Sequence, residues 1–272
     1  MFSFKDLYKN KPLVMGILNV TPDSFSDGGE ADSFSGALEK LRALEDEGAD
    51  IIDIGACSTA PFNTIIDVNT ELERLSFLPE LVKNASVPLS IDTLRPEVAD
   101  YALSIGVSIV NDETGAFTDE MAKVVKKYNA GWVFMHTGGV SSKEVKVYPD
   151  GVTEEVLDFF KSMKEKAVAV GINEDALCYD CGIGFGKSRN DDVRLLTDCK
   201  KLSEYSPLLI GVSRKRVIGE ITGAKNPKDR AIGSAAAACI CAYNGAGILR
   251  VHDVKETVDA IKVACAISNG GL

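Results

Sequence analysis

A chain of 272 residues, 45% of them hydrophobic, is long enough for one large α/β domain and has the apolar material for its core. Its 30 basic and 40 acidic residues leave a net charge of −10, and no basic cluster exceeds Arg214-Lys215-Arg216, which argues against general nucleic-acid or anionic-membrane binding. The first eleven residues are charged and poor in apolar side chains, unlike a signal peptide, and no apolar run approaches the ~18 residues of a membrane helix, so a cytoplasmic protein is expected.

The first predicted strand is the apolar run at residues 13–18. It stops at Asn19, and the ten residues after it are almost all turn formers, small hydroxyls and acids, ending in Gly28-Gly29. A strand that delivers a polar amide into a long polar loop has the layout of an active-site edge. Further short apolar runs follow at residues 51–54, 89–91, 108–110, 131–135, 176–179, 208–212 and 247–251. Helical periodicity lies between them: Phe34, Leu38, Leu41 and Leu44; Leu72, Leu75 and Leu78; Val254, Val258 and Ile261, with Ile267 beyond. Asp32-Ser33 and Pro96 mark helix starts, and Gly48, Gly106 and Gly171 mark ends. Eight strands alternating with eight helices, without a linker, predict one domain over residues 1–272: an α/β fold closed as a (β/α)₈ TIM barrel. A doubly wound open sheet is the alternative.

The strand ends carry the chemistry, because catalytic groups of such barrels project from the C-terminal ends of strands. Here they read Asn19, Asp53, Asp92, Asn111-Asp112, His136, Asp180, Ser213-Arg214-Lys215 and Arg250-Val251-His252-Asp253. Acids at strand ends can instead cap the next helix; that alternative stands for Asp53 and Asp112, and it is the expected role of Asp253. His136 is expected to be a structural loop residue. The seven cysteines are scattered and odd in number, as expected of free thiols, and Cys178-x-x-Cys181 lacks the further ligands of a zinc site. Gly186-Lys187-Ser188 resembles the end of a P-loop, but position 181, where that motif needs glycine, is cysteine.

The string Met15-Gly-Ile-Leu-Asn-Val-Thr-Pro-Asp-Ser-Phe-Ser-Asp-Gly-Gly29 closely resembles the first signature of the dihydropteroate synthase family. Ser90-Ile-Asp92-Thr, Val110-Asn-Asp112, Met135-His136, Asp180-Cys-Gly-Ile-Gly-Phe-Gly-Lys187, Ser213-Arg-Lys215 and Arg250-Val-His-Asp253 are similar to its later signatures, in order. The resemblance implies a (β/α)₈ barrel, usually a homodimer. It implies condensation of 6-hydroxymethyl-7,8-dihydropterin diphosphate with p-aminobenzoate, giving dihydropteroate and pyrophosphate. By the same resemblance Asp180 receives the pterin 2-amino and N3 protons, and Asn111 meets a mixed edge. Asp92 lies near the ring nitrogens and steadies a developing cation, while Lys215 reaches the ring carbonyl and N5. Arg250 stacks on the ring and, with His252 and Thr59, contacts the diphosphate. Phe185 walls the pocket, unless it merely anchors its loop. Asn19 coordinates Mg²⁺ through its amide oxygen. Phe25 and Asp27 belong to a loop that closes over the site.

Departures from the family pattern concentrate in the second loop, where Ala60 stands in place of an arginine that holds pyrophosphate and completes the p-aminobenzoate site. Altered p-aminobenzoate and sulfonamide recognition is the expected consequence. Glu113 stands for an apolar residue, Cys181 for proline and Gly138 for a basic residue, while Arg216 offers a partial replacement for the missing cation. A pterin-dependent methyltransferase and a non-catalytic pterin-binding paralogue are the alternative readings.

Overall fold

Parallel strands covered on both faces are continuous apolar runs, and the eight runs are the eight strands of a closed barrel. They are β1 (Leu13–Asn19), β2 (Ile51–Gly55), β3 (Leu89–Asp92), β4 (Ile109–Asp112), β5 (Gly131–Met135), β6 (Leu177–Asp180), β7 (Leu208–Ile210) and β8 (Ile248–Val251). Each pairs in parallel with the next, and β1 closes on β8 with Leu13 opposite Ile248 and Met15 opposite Arg250. The open-sheet alternative is thereby excluded. The computed structural model describes residues 1–8, 11–20, 30–57, 66–139 and 145–270. Phe25, Asp27, Thr59 and Ala60 lie outside them. No helix among the described residues is long and apolar enough to cross a membrane.

The helices are more numerous than the eight expected. Single helices α2 (Glu30–Asp46), α5 (Pro96–Ser104), α6 (Asp119–Tyr128), α7 (Val152–Ala169) and α12 (Val254–Asn269) follow β1, β3, β4, β5 and β8. Pairs follow the other three strands: α3 (Val68–Arg74) with α4 (Leu78–Asn84), α8 (Arg189–Thr197) with α9 (Cys199–Leu202), and α10 (Arg216–Thr222) with α11 (Ala231–Tyr243). Local breaks cause the splitting: Pro79 opens the first turn of α4, and Gly223 closes α10 in the left-handed conformation. The helix α2 begins two residues before the expected Asp32, whereas Pro96 opens α5 as expected. Residues Gly48, Gly106 and Gly171 all have positive φ just past helix ends.

A short N-terminal helix, α1 (Phe4–Leu7), has no helical periodicity to announce it. Phe4 is fully buried against the inward layer of Leu13, Met15, Ile51, Ile109, Val133, Cys178, Leu209 and Ile248. Phe2 packs edge-on to it at 4.9 Å. A Cβ on Gly131 would meet the Phe2 ring at 2.7 Å, so β5 begins with the one residue that admits this plug. The plug closes the N-terminal mouth of the barrel and leaves the opposite mouth for chemistry.

Candidate active site

Arg250, on β8, is the hub of the C-terminal mouth. Its Nε donates to Asp53 Oδ2 at 2.6 Å, its Nη2 donates to Asp92 Oδ2, and its Nη1 lies 3.8 Å from Glu113 Oε1. Asn111 Nδ2 donates to the same Asp53 oxygen at 3.0 Å. Residues from β2, β3 and just past β4 thus converge on the guanidinium that β8 carries. Burial disfavours its charge, but the Asp53, Asp92 and Glu113 carboxylates outweigh burial and hold its pKa above the ordinary value. Asp92 is pushed well above the usual carboxylate range, by burial first and by Glu113 next, against the pull of Arg250. Asp53 Oδ1, Asp92 Oδ1, Asn111 Oδ1 and Ser90 Oγ are buried without a hydrogen-bond partner among the described residues. Buried acceptors left unpaired are uncommon, and four on adjoining strands mark a place built for a ligand's donors.

A second charge pair stands beside the first. Asp180 Oδ1 accepts from Gly182 N at 2.7 Å, and Lys215 Nζ donates to the Ile183 carbonyl at 2.6 Å. Gly211 separates them: a Cβ there would lie 3.7 Å from Lys215 Nζ and 3.9 Å from Asp180 Oδ2. Burial raises the Asp180 pKa and lowers that of Lys215, and each group's charge opposes the shift of the other. The Lys215 ammonium also sits 4.7 Å over the Phe185 ring, which is half-buried on the cavity wall and not in the core.

Lys215 is aimed by a strained turn. Arg214 has φ +57°, a conformation that a side chain disfavours. It is held by Ser234 Oγ on its N–H at 2.9 Å, by Arg230 Nη1 on its carbonyl at 2.9 Å, and by a bidentate pairing of its guanidinium with Asp253. Asp253 therefore corrects the expectation of a cap. It stands at the N-cap position of α12 but its side chain makes no capping bond, because a bidentate cation outcompetes a backbone N–H. Asp53 does not cap a helix either. Asp112 accepts from Thr114 N at 2.9 Å and Trp132 Nε1 at 3.2 Å, shaping the loop after β4. Ser213 Oγ accepts from His252 N at 3.1 Å and lies 3.2 Å from His252 Nδ1. Burial, then Arg214 and Arg250, lower the His252 pKa to about 4, so the ring is neutral at neutral pH.

A cavity of about 370 Å³ at this mouth is lined by Asn19, Asp92, Glu113, Phe185, Lys215, Arg250 and His252 among others. Asn111 and Asp180, also expected at the site, are buried at the ends of β4 and β6 next to these residues. His136 does not border it. Its ring lies against Phe159 at 5.3 Å, and burial lowers its pKa to about 3.

Two residues with structural work at the site carry a sequence signal that points to other roles. Asp53 meets Arg250 across 197 positions of chain. Lys187, in the segment that resembles a P-loop, turns inward: its Nζ donates to the carbonyls of His136, Gly182 and Phe185 at 3.1, 2.8 and 3.2 Å. Burial lowers its pKa to about 8, which leaves it protonated at neutral pH with all three N–H bonds used. Beside it, a Cβ on Gly182 would meet the His136 carbonyl at 1.9 Å, so this loop requires glycine. Lys187→Met leaves the Gly182 and Phe185 carbonyls with Phe185 N and Gly138 N, each at 3.2 Å, but takes the lysine from the buried His136 carbonyl, and a stability loss of about 2 kcal/mol is expected in chemical denaturation. A loss within experimental error would show that the staple is dispensable.

The model of the family described as pterin binding enzyme matches residues 15–252. A dihydropteroate synthase of Bacillus subtilis (strain 168) is 39% identical, covering 97% of this chain and 91% of that protein. Among solved structures, the Xanthomonas albilineans dihydropteroate synthase with 4-aminobenzoic acid superposes with a TM-score of 0.89 at 41% identity, covering 95% of this chain and 94% of the other. The same enzyme in complex with 7,8-dihydropteroate gives 0.86 at 39% identity, again covering 95% and 94%. The family match runs from the first strand to just past the last, and the relatives are covered nearly end to end: the chain belongs to the pterin-binding enzyme family, among the dihydropteroate synthases, which are transferases.

Proposed function

We propose that this chain condenses 6-hydroxymethyl-7,8-dihydropterin diphosphate with p-aminobenzoate, forming dihydropteroate and pyrophosphate. The observation that carries this reading is the acceptor-rich cavity end. Asp180 and Asp92 are carboxylates, Asn111 is an amide whose oxygen is unpaired among the described residues, and Lys215 supplies a cation beside them. A pterin edge presents the complement: an amino group and a ring N–H for carboxylates, next to a carbonyl for the ammonium. In this reading Asp180 takes the 2-amino and N3 protons, and Lys215 turns from the Ile183 carbonyl to the pterin carbonyl and N5. Asp92 sits near the ring nitrogens, where its carboxylate favours the cation that forms as pyrophosphate leaves. No side-chain nucleophile is required, because the aniline nitrogen attacks that cation directly.

The diphosphate half falls to Asn19, Arg250, His252 and Thr59. The donor chemistry of Asn19 fits Mg²⁺: a neutral amide oxygen on the cavity wall is a hard ligand, and Mg²⁺ completes its shell with water and substrate phosphates. When bound, the ion supplies charge neutralisation to the leaving group. His252 acts as a neutral hydrogen-bonding ring, its Nδ1 engaged by Ser213. The family resemblance assigns Phe25 and Asp27, outside the described residues, to the second substrate. Ala60 leaves that substrate without a loop cation, which weakens p-aminobenzoate and sulfonamide binding.

A homodimer is supported by the apolar outer face of α11 and α12, where Ile232, Ile240, Tyr243, Val263 and Ile267 are exposed, Ile232 by 85%. The free, mostly buried cysteines suit a cytoplasmic enzyme.

Pyrophosphate release is the direct test. Steady turnover should require both the pterin diphosphate and p-aminobenzoate, stop in excess chelator, and return with Mg²⁺ while circular dichroism stays constant. Sustained release without p-aminobenzoate, or full activity with metal removal verified, would overturn the assignment of substrates or of the ion.

A further inference from the structure

Asp192 is a fully buried carboxylate to which the proposed chemistry gives no task. It stands in the first turn of α8, where an acid would ordinarily serve the helix dipole. The start of that helix is already capped by its neighbours, since Ser188 and Asp191 form a reciprocal capping box. Asp192, one residue on, turns inward, and both of its oxygens are engaged. Its Oδ1 accepts from Gly184 N at 2.6 Å, and its Oδ2 accepts from Arg189 Nη1. Gly184 lies between the two residues that touch Lys215. The Ile183 carbonyl accepts from Lys215 Nζ at 2.6 Å, and the Phe185 ring centre lies 4.7 Å from the same ammonium. Lys187 ties the carbonyls of Gly182 and Phe185 on either side, and Asp192 ties the amide between them.

Resting on the condensation proposed above, we infer that Asp192 is a positioning residue for Lys215: through the Gly184 amide it fixes the resting point from which the ammonium reaches the pterin edge. Asp192 does not itself line the cavity and acts only through its neighbours. A lysine side chain is long and flexible, and it loses freedom when a ligand orders it. A fixed acceptor at Ile183 and a fixed ring at Phe185 hold it extended before the ligand arrives. Charge acts in the same direction. Burial works against the Lys215 charge and Arg250 opposes it, whereas Asp180, Glu113 and Asp192 favour it. Arg189, on the cavity wall, balances Asp192 from the other side. Burial raises the Asp192 pKa, while the Gly184 amide, Arg189, Lys215 and Lys187 pull it back.

The test is a double-mutant cycle on the affinity for 6-hydroxymethylpterin, which lacks phosphate, measured by calorimetry. Asp192→Ala should weaken binding about tenfold in wild type, but by less than about twofold in a Lys215→Met background. Asp192→Asn keeps an acceptor for Gly184 N and should recover most of the loss at neutral pH. It also removes the charge, so its affinity should fall off at lower pH than that of wild type as Lys215 loses its proton. The ligand's own titration is common to both proteins. That pH shift decides the matter if the alanine variant does not fold. Equal affinity of Asp192→Ala and wild type would overturn the inference. So would the same loss in both backgrounds, which marks a loop collapse unrelated to Lys215, or an unshifted pH profile for Asp192→Asn. If wild type binds the pterin but does not turn over with p-aminobenzoate, the condensation reading fails, and the cycle still decides the role of Asp192.

Discussion

Arg250→Met is expected to be the most damaging single substitution in the barrel, lowering unfolding free energy by about 3–5 kcal/mol and abolishing turnover. Arg250 compensates the buried Asp53 and Asp92 through hydrogen bonds and Glu113 at longer range. A methionine replaces the aliphatic stem but not the guanidinium, and leaves these carboxylates facing one another in low dielectric. The effect should depend on pH with a defined sign. The folded pKa of Asp92 lies well above its ordinary 3.8, so the folded state holds this proton more tightly than the unfolded chain. Its contribution to stability is fully present below 3.8 and is lost as pH rises through the folded value. Removing Arg250, which lowers that pKa, moves the folded value further up. The difference between variant and wild type should therefore be small in acid and grow towards neutral pH. Denaturant titrations of both proteins across this range measure it; equal stability at neutral pH would show that the three carboxylates do not depend on Arg250.

Asp180→Asn should reduce affinity for a pterin without diphosphate by about 100-fold, since two hydrogen bonds to a charged acceptor are lost. The substitution keeps the side chain's shape and the acceptor for Gly182 N, so the loop after β6 stays in place. It also removes a carboxylate that burial destabilises, and the variant should be at least as stable as wild type. Binding and folding thus move in different directions, which separates a lost contact from a collapsed site. Calorimetry with the unphosphorylated pterin decides it: unchanged affinity would remove Asp180 from the pterin edge.

Much of this architecture is legible in the residues themselves. Strands buried on both faces are largely apolar, so runs such as Leu208–Ile210 are visible without any partner. Polar residues that end such runs stand out against them, which is why Asn19, Asp92, Asn111, Asp180, Lys215 and Arg250 can be picked from the chain. Glycines past helix ends and Pro96 at a helix start report local backbone needs that no distant contact alters.

Partnership among those residues is a different matter. Sequence places Asp53, Asp92, Glu113 and Arg250 in or just past predicted strands, with Asp53 falling mid-strand in β2; only barrel closure brings β8 against β1 and turns Arg250 toward carboxylates from three other strands or their ends. The same holds for Asp253, which reads locally as a cap and is claimed instead by Arg214 from the loop after β7. Lys187 reads as phosphate-binding beside its glycines, yet the fold surrounds it with carbonyls. Phe4 has no periodic company and still plugs the barrel floor. Hydrophobic patterning is a one-dimensional property and survives in the chain. The neighbours of a buried charge are set by tertiary geometry, where burial and competing partners decide which ion pair forms.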